Sequence, residues 1–202
     1  MRSTNPGLPN GKDDGVADNE PIILIGPMKA GKTTVGQLLA AWLHCSFSSL
    51  DRVERHYTEA FGFDAHLADT IQHTQGDWAW YSYRRQFFAE AVVQFLAEHA
   101  SGVLELGGGH PILANEVHQA RVDRALAPFQ HVVLLLPTPD IEASLRILKG
   151  RQKPAHLNPD WNEAFLHDQR FFRLAKHVIY TEGQTPEATC HEILARLERQ
   201  HT

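Results

Sequence analysis

Eight residues near the start of this 202-residue chain, Gly26-Pro27-Met28-Lys29-Ala30-Gly31-Lys32-Thr33, carry the spacing Gly-x4-Gly-Lys-Ser/Thr. Glycines let a backbone curl until successive N–H groups point at one anion, and a helix opening behind them adds the positive end of its dipole. The pattern predicts a cradle for nucleotide phosphates made by Gly26, Met28, Lys29, Ala30, Gly31, Lys32, Thr33 and Thr34. In such a cradle the Lys32 ammonium reaches the β- and γ-phosphates and the Thr33 hydroxyl ligates Mg²⁺. The loop implies ATP but not what receives the phosphate, because hydrolysing switches, motors and small-molecule kinases all use it.

The elements around the loop fit that role. Ile22-Ile23-Leu24-Ile25 is an unbroken β-branched and aliphatic run between Pro21 and Gly26, as expected for a strand buried on both faces. From Gly31 onward Val35, Leu38, Leu39 and Trp42 recur at helical spacing. Further helices are expected at Asp51–Phe61, Trp78–His99, Asn115–Ala127, Asp140–Lys149 (capped by Thr138 or Asp140), Asn162–Ala175 and Pro186–Arg199. Strands are expected at Val103–Leu106, which ends in Gly107-Gly108-Gly109, at His131–Leu136 and at His177–Thr181; Gly150–Pro159 reads as a polar loop. Alternating strands and helices imply right-handed crossovers and an α/β fold with a parallel sheet covered on both faces.

Composition limits the rest. Hydrophobic residues make up 43% and charged residues 21%, enough apolar material for a core. The net charge of −5 argues against a general nucleic-acid binder, which would carry a basic excess. Cys45 and Cys190 are too few for a disulfide framework, so a reducing compartment is expected. No apolar stretch is long enough to span a membrane. Residues 1–20, rich in Asn, Asp, Gly and Pro, read as a flexible tail, leaving residues 21–202 as one domain. Thirteen histidines stand out, but they do not cluster: His66 and His73 lie two helical turns apart, and no His-x-x-x-His occurs. Trp78, Trp80, Tyr81 and Tyr83 form an aromatic concentration that suits core packing or a stacking surface for a ring-shaped ligand.

From about Ile22 to Leu197 the chain resembles the shikimate kinase family, small P-loop kinases of the nucleoside-monophosphate-kinase fold. ILIGPMKAGKTTVGQLLA is similar to the family's opening strand, loop and helix, including Val35-Gly36 after the loop. Phe47-Ser48-Ser49-Leu50-Asp51 resembles its F-x-D-x-D segment, VLELGGG its glycine-triplet strand, and Lys153-Pro154 with Asn158-Pro159 its lid. The resemblance implies a three-layer α/β fold with a central parallel five-stranded sheet and a small lid at about 150–159. It implies an ATP- and Mg²⁺-dependent enzyme that phosphorylates a hydroxyl of a small polyhydroxylated acid, shikimate first among them. Asp51 corresponds to the aspartate that binds and orients or deprotonates the acceptor hydroxyl; a helix cap at Arg52 is the plainer role for the same residue. Gly107, Gly108 and Gly109 would let the acceptor approach backbone N–H groups. A carboxylate acceptor calls for guanidinium groups. Arg84 follows an aromatic residue as the family's arginine does; Arg85 is the alternative, and Arg170 is the nearest residue to a second one. Arg151 and Lys153 would close over the transferring phosphoryl group and exclude water.

The main departure is Ser49, which stands where the family has an aspartate that helps hold Mg²⁺. Ser49 can contact a metal-bound water but brings no charge; Glu105, two residues before the triplet, is expected as a substitute carboxylate. The expected protein is a cytoplasmic kinase, monomeric or weakly dimeric, independent of nucleic acid and membranes. Two rivals stand beside it: a same-fold kinase of a sugar, nucleoside or antibiotic hydroxyl, and a non-catalytic nucleotide-binding regulator.

Overall fold

The computed structural model describes residues 20–151 and 161–199. The chain runs β1 (Ile22–Ile25), α1 (Lys32–Trp42), β2 (Phe47–Ser49), α2 (Leu50–Ala60), α3 (Ala65–Gln75), α4 (Asp77–Arg84) and α5 (Phe88–Glu98). It continues through β3 (Val103–Glu105), α6 (Glu116–Leu126), β4 (Val132–Leu136), α7 (Ile141–Arg151), α8 (Trp161–Leu166), α9 (Arg170–Leu174), β5 (His177–Tyr180) and α10 (Pro186–Glu198). The strands form one parallel sheet in the order β2-β3-β1-β4-β5. Every residue of β1, β3 and β4 is buried, so helices cover both faces of the sheet, which explains the unbroken apolar runs of β1 and β4. Of the two expected caps of α7, Asp140 accepts the Ala143 N–H; Asn115 likewise caps α6 on the Val117 and His118 N–H groups, and Thr185 caps α10 on that of Ala188. No helix among the described residues is long and apolar enough to cross a membrane.

β1 lies in the centre, between β3 and β4, so the chain leaves the sheet at a point where neighbouring connections diverge. That is where open α/β sheets form a ligand crevice at their carboxyl ends. Gly26 makes the exit possible: its φ is +138°, and a β-carbon there would collide with the Leu135 carbonyl on β4.

The structure redraws several elements. The helix expected over Trp78–His99 is two, α4 and α5, separated at Arg85–Phe87. α4 packs on α3 and α5 on α2 and α6, so the chain must change direction between them. The helix expected over Asn162–Ala175 also divides, because the Asp168 carboxylate takes the Arg170 N–H at 2.9 Å and competes with the helical ladder. α3, capped by Asp64 on the Leu67 N–H, is an element that sequence reading missed. Asp51 is not a helix cap: α2 begins at Leu50, and Ser49 holds the cap position. Gly150 and Arg151 finish α7 rather than open a loop. Most of the expected lid, Lys153 included, and nearly all of the expected tail lie outside the described residues.

Candidate active site

The phosphate loop joins β1 to α1. Lys32 is buried, and its Nζ donates to the Gly26 and Pro27 carbonyls at 3.0 Å each. Burial pushes its pKa below the ordinary lysine value, while Glu105 and Asp51 pull the other way. Lys29 adopts a left-handed backbone (φ 64°), and Arg151 at the end of α7 donates to its carbonyl at 3.2 Å. Met28 is held from outside the loop. The fully buried Asn162 of α8 accepts the Met28 N–H at 2.8 Å and donates to its carbonyl at 3.1 Å. A cleft of about 490 Å³ runs along the loop, lined by Met28, Lys29, Gly31, Lys32, Thr33, Thr34, Asp51, Glu105, Gly108 and Arg151. The expected phosphate-site residues Gly26 and Ala30 are buried and do not line this cleft.

At one end of the cleft the Thr33 hydroxyl donates to Glu105 Oε1 at 2.8 Å. Glu105 is only 3% exposed, and its second oxygen, Oε2, is buried without a hydrogen-bond partner among the described residues. Across the strand pair Ser49 on β2 stands in register with Glu105 on β3. A buried carboxylate oxygen with no donor, beside a loop threonine, is a donor set that fits a hard divalent cation such as Mg²⁺. The carboxylate that β2 lacks at Ser49 is therefore present one strand over.

Beyond Gly108 a second cavity of about 170 Å³ adjoins the cleft, and Met28, Asp51 and Gly108 line both. Its polar wall is Asp51, Glu54, Arg84 and His110; its apolar wall is Trp80, Tyr81, Phe88, Trp161 and Phe165. One Arg84 nitrogen donates to both Glu54 oxygens at 2.7 Å, while the guanidinium lies 4.3 Å from the Trp80 ring centre. Gly107 N–H donates to His110 Nδ1 at 3.0 Å, so the ring's other nitrogen, Nε2, donates to Glu54 at 3.0 Å. Burial raises the Glu54 pKa, but His110 and Arg84 together outweigh it and hold the carboxyl below its ordinary value. Asp51 projects into the cavity, 57% exposed and 3.6 Å from His110 Nδ1. Asp51, Glu54 and His110 bring ligand-type atoms within 4.8 Å of one another. With Arg84 and His110 Nε2 on Glu54 and the Gly107 N–H on His110 Nδ1, Glu54 and His110 form a hydrogen-bonded scaffold beside Asp51.

The glycine triplet also makes close contacts within the protein. A β-carbon on Gly107 would collide with the Asp51 carboxylate, one on Gly109 with the Tyr81 hydroxyl, and one on Gly108 would press on the Met28 amide at 3.1 Å. The missing side chains make room for the protein's own polar groups at the pocket floor. Two expected acceptor arginines are also elsewhere. Arg85 donates to the Ile112 carbonyl at 2.9 Å and lines a different hollow. Arg170 is bound to Asp168 and the Leu113 carbonyl, because the same Asp168 that breaks the helix captures it. Glu54 and His110 were missed by sequence reading. Asp51 and Glu54 at i, i+3 on one helix face were the available signal for the first, and the His after the triplet for the second.

A phosphate loop at the tip of the central strand, opening onto a carboxylate-bearing pocket, defines the class: this is a P-loop phosphotransferase fold. Comparison with known proteins narrows it. The family model described as "Shikimate kinase" matches residues 28–198. Similar proteins include shikimate kinases of Streptomyces coelicolor (32% identical, 88% of this chain and 95% of that one) and Salinispora arenicola (33%, 87% and 96%). Among solved structures, shikimate kinase from Acinetobacter baumannii in complex with shikimate superposes with a TM-score of 0.54 at 24% identity, covering 90% of this chain and 93% of the other. The enzyme from Aquifex aeolicus gives 0.55 at 23%, covering 90% and 98%. The chain belongs to the shikimate kinase family.

Proposed function

We propose that the protein transfers the γ-phosphoryl group of ATP to a hydroxyl of shikimate or a closely similar small polyhydroxylated acid. The observation that carries this reading is the continuity of the two cavities: Asp51 lines both, reaching from the phosphate cleft into the pocket that holds Arg84. The loop from Gly26 to Thr34 binds the nucleotide phosphates, with Lys32 on the β- and γ-phosphates. Thr33 and Glu105, with Ser49 across the strand pair, would hold Mg²⁺, which when bound neutralises charge on the phosphates. Asp51 accepts the hydrogen of the attacking hydroxyl and orients its oxygen. Arg84, fixed by Glu54, grips the acceptor carboxylate through the nitrogens that Glu54 does not use. Arg151, which lines the phosphate cleft, helps close the site against water; Lys153 lies outside the described residues. We further place the enzyme in the cytoplasm as a monomer or weak dimer, with residues 21–202 as its single domain.

A second reading, a kinase of another ring-shaped acceptor, is favoured by one observation: Arg85 and Arg170 are both committed outside the pocket, whose far wall is aromatic. ADP release coupled to an acceptor panel separates the two. Turnover with shikimate well above the acceptor-free rate supports the proposal; silence with shikimate and turnover with a sugar or nucleoside overturns it.

A further inference from the structure

One polar atom of the acceptor pocket stands without a partner. The Tyr81 hydroxyl is buried and makes no hydrogen bond among the described residues. Its ring is well packed, 4.0 Å from Trp161 centre to centre, 6.1 Å from Phe88 and 6.5 Å from Phe165. A phenylalanine would fill that aromatic nest equally well and would bury no unpaired hydroxyl, which costs free energy wherever it occurs. Packing therefore accounts for the ring and leaves the oxygen unexplained.

The position of the oxygen points to a use. It rests on Gly109, so close that any side chain there would collide with it. Tyr81 and Gly109 line the same 170 Å³ cavity as Asp51 and Arg84. Burial pushes the phenol up to about 12, so the group keeps its proton and acts as a donor across the whole working range of pH. Among the described residues, Arg84 is the one arginine that lines this cavity.

We propose that Tyr81 is an acceptor-binding, specificity-determining residue whose O–H donates to an oxygen of the bound acid, opposite the grip of Arg84. An uncharged donor here takes the place of a second guanidinium. It selects an acceptor that carries an oxygen at the Gly109 end of the pocket, and analogues without that oxygen leave the hydroxyl unpaired. The inference rests on the pocket being the acceptor site proposed above.

The test is calorimetric titration of shikimate into the protein with ADP and Mg²⁺ present, for the wild type and Tyr81→Phe, alongside thermal melts. The expected result is wild-type binding, with roughly three- to tenfold weaker binding by Y81F. The melting temperature of Y81F should be equal to or above that of the wild type, because an unpaired hydroxyl has been removed. Equal affinities would overturn the role of Tyr81 and leave the acceptor site standing. A lowered melting temperature with ADP binding weakened to the same degree would overturn it in favour of a structural role. Failure of the wild type to bind any small polyhydroxylated acid would overturn the acceptor site itself, and this inference with it.

Discussion

The Asp51 carboxylate occupies the space that a side chain on Gly107 would need. The second residue of α2 and the first residue after Leu106 are thereby interlocked, and the carboxylate's position is set by an absent β-carbon. The smallest substitution at Gly107 should move Asp51 rather than unfold the protein, because Asp51 is largely exposed and can swing away. Gly107→Ala should lower kcat roughly 10- to 100-fold, the range expected for displacing a reacting group by about an ångström. ATP affinity and far-ultraviolet circular dichroism should stay close to wild type. Steady-state kinetics with both substrates varied checks this.

The register of Ser49 with Glu105 makes a prediction about the metal. Glu105→Gln should weaken ADP binding in the presence of Mg²⁺ about tenfold, yet leave binding without Mg²⁺ unchanged, because only the ion's charge partner is lost. Adding Ser49→Asp to that variant should recover most of the difference by returning a carboxylate on the neighbouring strand. Titration of ADP with and without Mg²⁺ reads both effects; identical Mg²⁺ dependence in E105Q and wild type removes Glu105 from the metal site.

Asn162 joins the nucleotide loop to α8 through two hydrogen bonds to one peptide. Asn162→Ala leaves the Met28 N–H without that acceptor, at a cost of roughly 1–3 kcal/mol. A loop released from its clamp should show a KM for ATP raised several-fold, with the acceptor KM less affected. A fall in thermal stability without any change in the ATP KM would mean that the clamp serves folding alone.

Glu54 gives the protein a defined acid sensitivity. Its folded-state pKa lies below the ordinary glutamate value of 4.5, so the unfolded chain takes up the proton first. Its stabilising contribution is fully present above about pH 4.5 and disappears as pH falls through the depressed folded value. Glu54→Gln should be less stable than wild type by roughly 1–3 kcal/mol near neutrality. That gap should close as pH drops below 4.5. The same variant should bind shikimate more weakly near neutrality, since Arg84 loses its anchor. Chemical denaturation of the two proteins at several pH values measures the gap.

What could be read from the chain was local. The loop Gly26–Thr33 declares itself because its chemistry lies within one run of residues, and β1 and β4 declare themselves because burial on both faces leaves an unbroken apolar run, whereas the three half-polar residues of β2 (Phe47–Ser49) carry no such signal. The pocket was harder, since its network joins residues 54, 84 and 110 from three elements. Arg84 was found by its aromatic neighbour, whereas Glu54, which orients it, comes from a helix some thirty positions earlier. Arg170, the nearest residue to the second arginine that the family resemblance implies, is held by Asp168, two residues before it. The triplet's composition suggests space for a ligand; three-dimensional placement puts the Asp51 carboxylate against Gly107 and the Tyr81 hydroxyl against Gly109.

The most direct test is a crystal structure of the protein with ADP, Mg²⁺ and shikimate. The proposed assignment of the site puts the nucleotide phosphates on the Gly26–Thr33 loop, a shikimate hydroxyl against Asp51, and the shikimate carboxylate against Arg84. A carboxylate seated on Arg85 or Arg170, or shikimate bound outside the pocket between Asp51 and Trp161, would contradict it.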